Sequence, residues 1–118
     1  MLQKIEEILA KDPGYKFEAY SFVMAGLHFT VSRLPKTRHV TGKELCQGLK
    51  DYALEQFGPL ARTVLEYWGI RKTGDFGKIV FNLIDAELLK KTEEDSVRDF
   101  DNIYDFNAAF QYEIKEDS

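Results

Sequence analysis

Apolar residues recur every three or four positions along most of the chain, which is the period of an amphipathic helix. The first such run, residues 2–11, stops at a turn-forming Asp-Pro-Gly sequence at 12–14. The second run, residues 16–33, carries a broad apolar stripe. It stops before Pro35, because proline disfavours helical geometry in the residue that precedes it. The pattern therefore predicts two helices, of which the second is largely buried.

The third predicted helix, residues 42–57, has two independent start signals. Thr41 and Glu44 have the spacing of a capping box, in which each side chain accepts a hydrogen bond from the backbone amide of the other residue. Val40 and Leu45 lie on either side of the cap, as the two members of a hydrophobic staple do. Loss of the Thr41 cap alone should cost about 1 kcal/mol of stability.

Two more helices are predicted before residue 92. A Gly-Pro pair at 58–59 breaks the chain and restarts it, and the next apolar stripe continues to Trp68. Gly69 is expected to end that helix in a left-handed conformation. Thr73 is predicted to cap the last long helix, residues 74–91.

The helical period disappears after Lys91, and the chain becomes acidic and aromatic. Residues 92–118 carry nine acids and two cations, a local charge of −7. Four of the five aromatic side chains in this range lie close together, and a merely solvated tail would not need them: Phe100, Tyr104, Phe106 and Phe110. We therefore expect this part of the chain to pack over the helices with its acids outward. A last helical turn is expected at 106–110, after an Asp105 cap.

These elements predict a single, mainly α-helical domain that comprises residues 1–118. The fold class is all-α, a bundle of about five helices with the acidic, aromatic residues 98–118 packed on it. The alternative architecture adds one short β pairing between residues 37–40 and 111–115, because Tyr112 and Ile114 alternate with charged residues.

Composition narrows the class of protein. The chain has 118 residues, and sixteen Lys and Arg oppose twenty Asp and Glu; the resulting net charge of −4 argues against broad affinity for nucleic-acid phosphates. Cys46 is the single cysteine and has no partner for an internal disulfide, which indicates a reducing compartment. Charged residues interrupt the apolar positions at the start of the chain, and no run approaches the roughly 20 apolar residues of a membrane span. We expect a cytoplasmic protein.

Few side chains are candidates for chemistry. His28 lies within the second predicted helix and is expected to be a hydrogen-bonded, half-buried core residue, whereas His39 lies in a loop. Cys46 is expected to be a small buried residue, although a helix N-terminus is also a place where thiol pKa values fall. No catalytic, cofactor-binding or metal-binding residue is predicted, and we expect a protein that is not an enzyme.

The charge map favours contacts with other macromolecules. Residues 33–43, the basic segment, carry four cations and no acid, in contrast to the acidic end of the chain. Opposite charges at two places suit an internal contact, a contact between copies, or two partner surfaces. The residues predicted to bind a partner are Arg33, Lys36, Arg38, His39, Asp101, Tyr104, Asp105 and Phe106.

Three functions are weighed on this basis. The leading hypothesis is a non-catalytic protein-interaction or adaptor domain that binds another protein or a second copy of itself. The second is a nucleic-acid-binding protein that uses the basic segment, since the turn at 58–59 lies between two helices as in a helix-turn-helix. The exposed start of its second helix pairs one cation, Arg62, with one anion, Glu66, which is a poor set for reading DNA. The third is an enzyme with an unrecognised site.

Four stretches of the chain carry a family resemblance. They are HVTGKELCQGLKDYALEQFGPLARTVLEYWGI, TGDFGKIVFNLIDAELLKKTEEDS, IYDFNAAF and FEAYSFV. Together they cover nearly the whole chain and resemble a small uncharacterised bacterial protein family of planctomycete and verrucomicrobial type, of unknown function. The resemblance implies a stand-alone bacterial cytoplasmic domain and implies no activity, cofactor or catalytic residue. The tail from Gln111 is less typical of that family.

Overall fold

The apolar stripes of the sequence correspond to helices in a computed structural model, which describes residues 2–90 and 96–110. The helices are α1 (Leu2–Lys11), α2 (Phe17–Ser32), α3 (Gly42–Phe57), α4 (Ala61–Tyr67), α5 (Thr73–Asp85) and α6 (Phe106–Ala109). Two short 3-10 helices, Gly58–Leu60 and Val97–Phe100, complete the regular structure of these ranges, in which no strand occurs. The predicted all-α fold of about five helices is confirmed.

The start of α3 confirms the predicted capping box. The Glu44 amide donates to the Thr41 hydroxyl at 3.1 Å, and the Thr41 amide donates to the Glu44 carboxylate at 2.9 Å. Both staple residues, Val40 and Leu45, are buried. The N-terminus of this helix is therefore held by polar and apolar contacts together, as the sequence indicates.

The end of α4 also follows the prediction. Gly69 has φ of 98°, and the Ile70 amide donates to the Leu65 carbonyl oxygen at 2.9 Å. This is the hydrogen bond of a Schellman motif, in which glycine takes the left-handed position at no steric cost. Ile70 is fully buried beyond the turn.

The prediction for the last long helix is wrong about its Thr73 cap and about its C-terminal end. α5 begins at Thr73, and its first turn is capped by Asp75, whose carboxylate accepts from the amides of Arg71 and Lys72. The helix ends at Asp85, six residues before the predicted end at 91. Glu87 adopts φ of 62°, which a right-handed helix cannot accommodate, so the apolar residues beyond it continue the core without continuing the helix.

Helices α2 and α3 share the most extensive contact of any two helices in the described residues. Gly48 lies directly against Thr30, and Gly26 lies directly against Leu49, at separations that leave no room for a Cβ atom on either glycine. The Thr30 hydroxyl is satisfied by the Gly26 carbonyl oxygen at 2.7 Å. Two small residues thus let the helix backbones approach each other.

Residues 96–110, which we call the docked segment, pack across α3 and α5 as the sequence predicts. Their three phenylalanines, Phe100, Phe106 and Phe110, are buried. The Asp105 side chain accepts from the Ala108 amide and caps α6, as expected. The remainder of the predicted 98–118 segment, and with it the predicted pairing of 37–40 with 111–115, lies outside the described residues.

Candidate functional site

An apolar groove opens on one side of the bundle, with a cavity volume of about 280 Å³. Its walls come from α2, α3, α5 and the docked segment, and its rim comes from residues 37–42 together with Leu89 and Lys90. The apolar side chains that define it are Leu27, Val31, Leu45, Val80, Ile84 and Phe100. Leu27, Val31 and Ile84 are half-buried, so this part of the helical faces is left uncovered by the described residues.

The rim of the apolar groove is cationic. Arg38 and Lys90 supply the charge, and His39 lies beside them. No described Asp or Glu is among the lining residues, although Asp99 lies against Gly42 of the groove. Arg38 is fixed in place by Glu44: its two terminal nitrogens lie 3.0 and 2.7 Å from the two carboxylate oxygens. This bidentate pair and the Thr41 amide lower the pKa of Glu44 to about 2. The carboxylate is therefore committed to the start of α3.

A second, polar cleft of about 550 Å³ lies at the start of α5. Arg71 and Lys72 line one part of it, and Asp101 and Asp105 another. Its residues are used to hold the docked segment: the Ile103 amide donates to the Thr73 hydroxyl, and the Asp101 carboxylate lies against Gly74 in the first turn of α5. An acid at a helix N-terminus is stabilised by the helix dipole. We therefore assign this cleft to docking.

The structure divides six of the eight predicted partner-binding residues between two sites and leaves Arg33 and Lys36 outside both. Arg38 and His39 lie at the apolar groove, whereas Asp101, Tyr104, Asp105 and Phe106 lie at the polar cleft. Arg33 lies at neither, because its guanidinium pairs with Asp51 of α3 at 3.0 Å and covers the ring of Phe29. Lys36 is exposed in the basic segment.

Two of the predicted partner residues serve the core instead. Phe106 is 3% exposed and packs against Phe76 and Phe110, so it offers no surface to a partner. The Tyr104 hydroxyl donates to the Cys46 carbonyl oxygen at 2.6 Å, and burial raises the pKa of Tyr104. Sequence reasoning recognised these rings as packing residues, but it could not decide which of them remain accessible.

The two side chains considered for chemistry within the helices differ in exposure to solvent. His28 is exposed, so the prediction of a half-buried core histidine is wrong: the position lies on the outer face of α2. Cys46 is fully buried, as predicted, and burial raises its pKa to about 12. The alternative of a thiol activated by the helix N-terminus is therefore wrong.

The helix-turn-helix outline does not place a free basic surface on α4. This helix has seven residues, and Arg62 near its start is hydrogen-bonded to Glu66 and to Asn107. Asn107 belongs to the docked segment, which brings a third element against the helix that would have to enter a DNA groove.

Metal-binding groups and membrane-spanning helices were both sought in the described part of the chain, and neither occurs there. Within residues 2–90 and 96–110, no group of three or more His, Cys, Asp or Glu side chains is arranged to hold a metal ion. Among the same residues, no helix has the length and apolar character needed to cross a membrane.

The groove residues Leu27, Val31, Val80 and Ile84 lie within two helices that the apolar periodicity predicts. Helical periodicity identifies the apolar side of a helix, but it does not indicate where two such sides fail to meet. Among the groove residues, only Arg38 and His39 were predicted from the sequence to bind a partner, because they lie in the basic segment.

No family model, curated protein or solved structure matches the chain, and the resemblance to a bacterial family stays a prediction.

Proposed function

We propose that the chain is a non-catalytic protein-interaction domain whose partner surface is the apolar groove. The observation that carries the proposal is an open apolar cavity between α2 and α5, beside the buried core of the bundle. A recess of this kind is the usual place for ligand recognition in a helical domain. The same proposal places the chain in the cytoplasm, on the ground of its single buried cysteine.

The apolar lining and the size of the groove suit side chains of a macromolecular partner. The cavity volume is about 280 Å³. One or two large apolar side chains of a partner would fill it. Interaction surfaces are organised in this way, with a few apolar anchors in pockets and a polar rim around them.

Site-specific photocrosslinking in the native host tests this function. A benzophenone amino acid is placed at position 89, on the groove, and in a matched strain at position 67, where Tyr67 is exposed on α4. We expect discrete adducts from position 89 that are absent from position 67. The adducts should disappear when Ile84→Trp fills the groove.

A DNA-binding measurement distinguishes a protein partner from the alternative, a nucleic-acid partner. Binding of the purified chain to a labelled random DNA duplex is measured over a salt titration, with Lys36→Glu as the variant. We expect no binding even at low salt. Salt-sensitive DNA binding that Lys36→Glu weakens, together with no adduct at position 89, would overturn the proposal in favour of the basic segment.

A further inference from the structure

We infer that the groove takes a partner segment in which two apolar anchors, about one helical turn apart, are flanked by acidic residues. This inference rests on the proposed interaction function and adds the chemistry of the partner. Two observations carry it: the arrangement of the groove walls and the sign of the charges on the rim.

The walls define the spacing of the anchors. Leu27 and Val31 are four positions apart on α2, and Val80 and Ile84 are four positions apart on α5. Each pair extends about 6 Å along its helix, because α-helices rise about 1.5 Å per residue. Two apolar side chains one turn apart on a partner helix would contact the two levels of the groove, which is the mode of an amphipathic helix in a groove.

The rim defines the flanking charge. Lys90 lies on it and is exposed, whereas the charge of Arg38 is opposed by its bidentate contact with Glu44. The described lining residues include no acid. The nearest acid of α3, Glu44, is turned toward Arg38 and the Thr41 amide. Lys36, which belongs to the basic segment, is also exposed. Acidic flanks would therefore be attracted, whereas basic flanks would be repelled.

Short synthetic peptides test the inference directly on the purified full-length chain. The probe is a fluorescein-labelled peptide with Leu and Phe one helical turn apart among glutamates. In the first control peptide the glutamates are replaced by lysines, and in the second Leu and Phe are replaced by serines. Fluorescence anisotropy is measured at low and at physiological salt, because the attraction between exposed charges is screened by ions.

We expect binding of the acidic apolar peptide, weaker binding of the lysine peptide and none of the serine peptide. Lys90→Glu should weaken the binding of the acidic peptide by about two- to fivefold, the usual effect of an exposed charge pair. The matched control Lys4→Glu makes the same change of charge on the exposed face of α1 and should have no effect. Ile84→Trp should abolish binding, with an unchanged circular dichroism spectrum as the check that the variant folds.

Equal binding of the acidic and lysine peptides, or no binding of any peptide, would overturn the inference. The two proposals fail in different ways. If the acidic peptide binds as expected but position 89 yields no adduct in the native host, the proposed function fails and the chemistry of the groove stands. If adducts form but the peptide series shows no charge preference, the inference fails and the function stands.

Discussion

The α2–α3 pair and the docked segment are both buried parts of the molecule, but they are held by different means. α2 and α3 meet through small residues, Gly26 and Gly48, that let two regular helices approach. The docked segment has little regular structure and is anchored by aromatic rings and by hydrogen bonds to other elements, such as that from Tyr104 to Cys46. The α2–α3 pair should therefore be sensitive to a side-chain atom added at either glycine. The docked segment should instead be sensitive to the loss of an anchoring ring.

The largest expected effect is the loss of an anchor from the docked segment. Phe100 is 5% exposed, lies against Gly77 and meets the ring of Phe81 edge-on. Phe100→Ala should lower the free energy of unfolding by about 3–5 kcal/mol, through lost burial and the cavity that remains. A urea titration measures it. Val97→Ala, an exposed neighbour, should stay within about 0.5 kcal/mol of wild type; a comparable loss for both variants would contradict specific docking.

The next largest loss of stability is expected when one methyl group is added between α2 and α3. Gly48→Ala places a Cβ atom onto the buried side chain of Thr30, and should lower the free energy of unfolding by about 1–3 kcal/mol. This is opposite to the gain expected from replacing glycine by alanine inside a helix. Gln47→Ala on the exposed face is the control, and Thr30→Ala combined with Gly48→Ala should recover part of the loss. A stabilised Gly48→Ala variant would show that the helices are less closely packed.

A smaller effect is expected from a single hydrogen bond of the docked segment. Tyr104→Phe removes the bond from the Tyr104 hydroxyl to the Cys46 carbonyl oxygen and leaves the ring in place. The free energy of unfolding should fall by about 0.5–1.5 kcal/mol. The same urea titration measures the change. A loss as large as that of Phe100→Ala would mean that hydrogen bonds, not rings, hold the segment.

The smallest effect concerns the pH dependence of the exposed cap at the start of α3. The pKa of Glu44 is lowered from its ordinary value of 4.5 to about 2 by Arg38 and by the Thr41 amide. A carboxylate with a lowered folded-state pKa contributes stability above its unfolded pKa and loses that contribution as pH falls. The stability difference between wild type and Glu44→Gln should therefore be present at pH 6 and shrink between about pH 4.5 and pH 2. A difference that is constant over this range would exclude an ionic role.

The helices and their caps were predictable because local rules determine them. The box at Thr41 and Glu44 and the turn at Gly69 depend only on neighbouring residues. The end of α5 was not predictable in this way, since the apolar pattern continues through Glu87, where the chain leaves the helix but not the core.

Long-range contacts account for what the sequence could not indicate. Docking of the aromatic residues was predicted from their number, but the partners of Tyr104 and Asp101 are far away in the chain. The apolar groove was missed for the same reason. It is a gap between α2 and α5, two helix faces that are each correctly assigned as apolar.

The ring of Phe100 has two roles, because it anchors the docked segment and also forms part of the groove wall. A molecule that fills the groove gains contact with this ring only while the segment stays in place. By mass action, occupancy must therefore lower the equilibrium population of the locally open state of residues 96–110. Amide hydrogen exchange in those residues would report on a ligand from within the chain, whatever its identity.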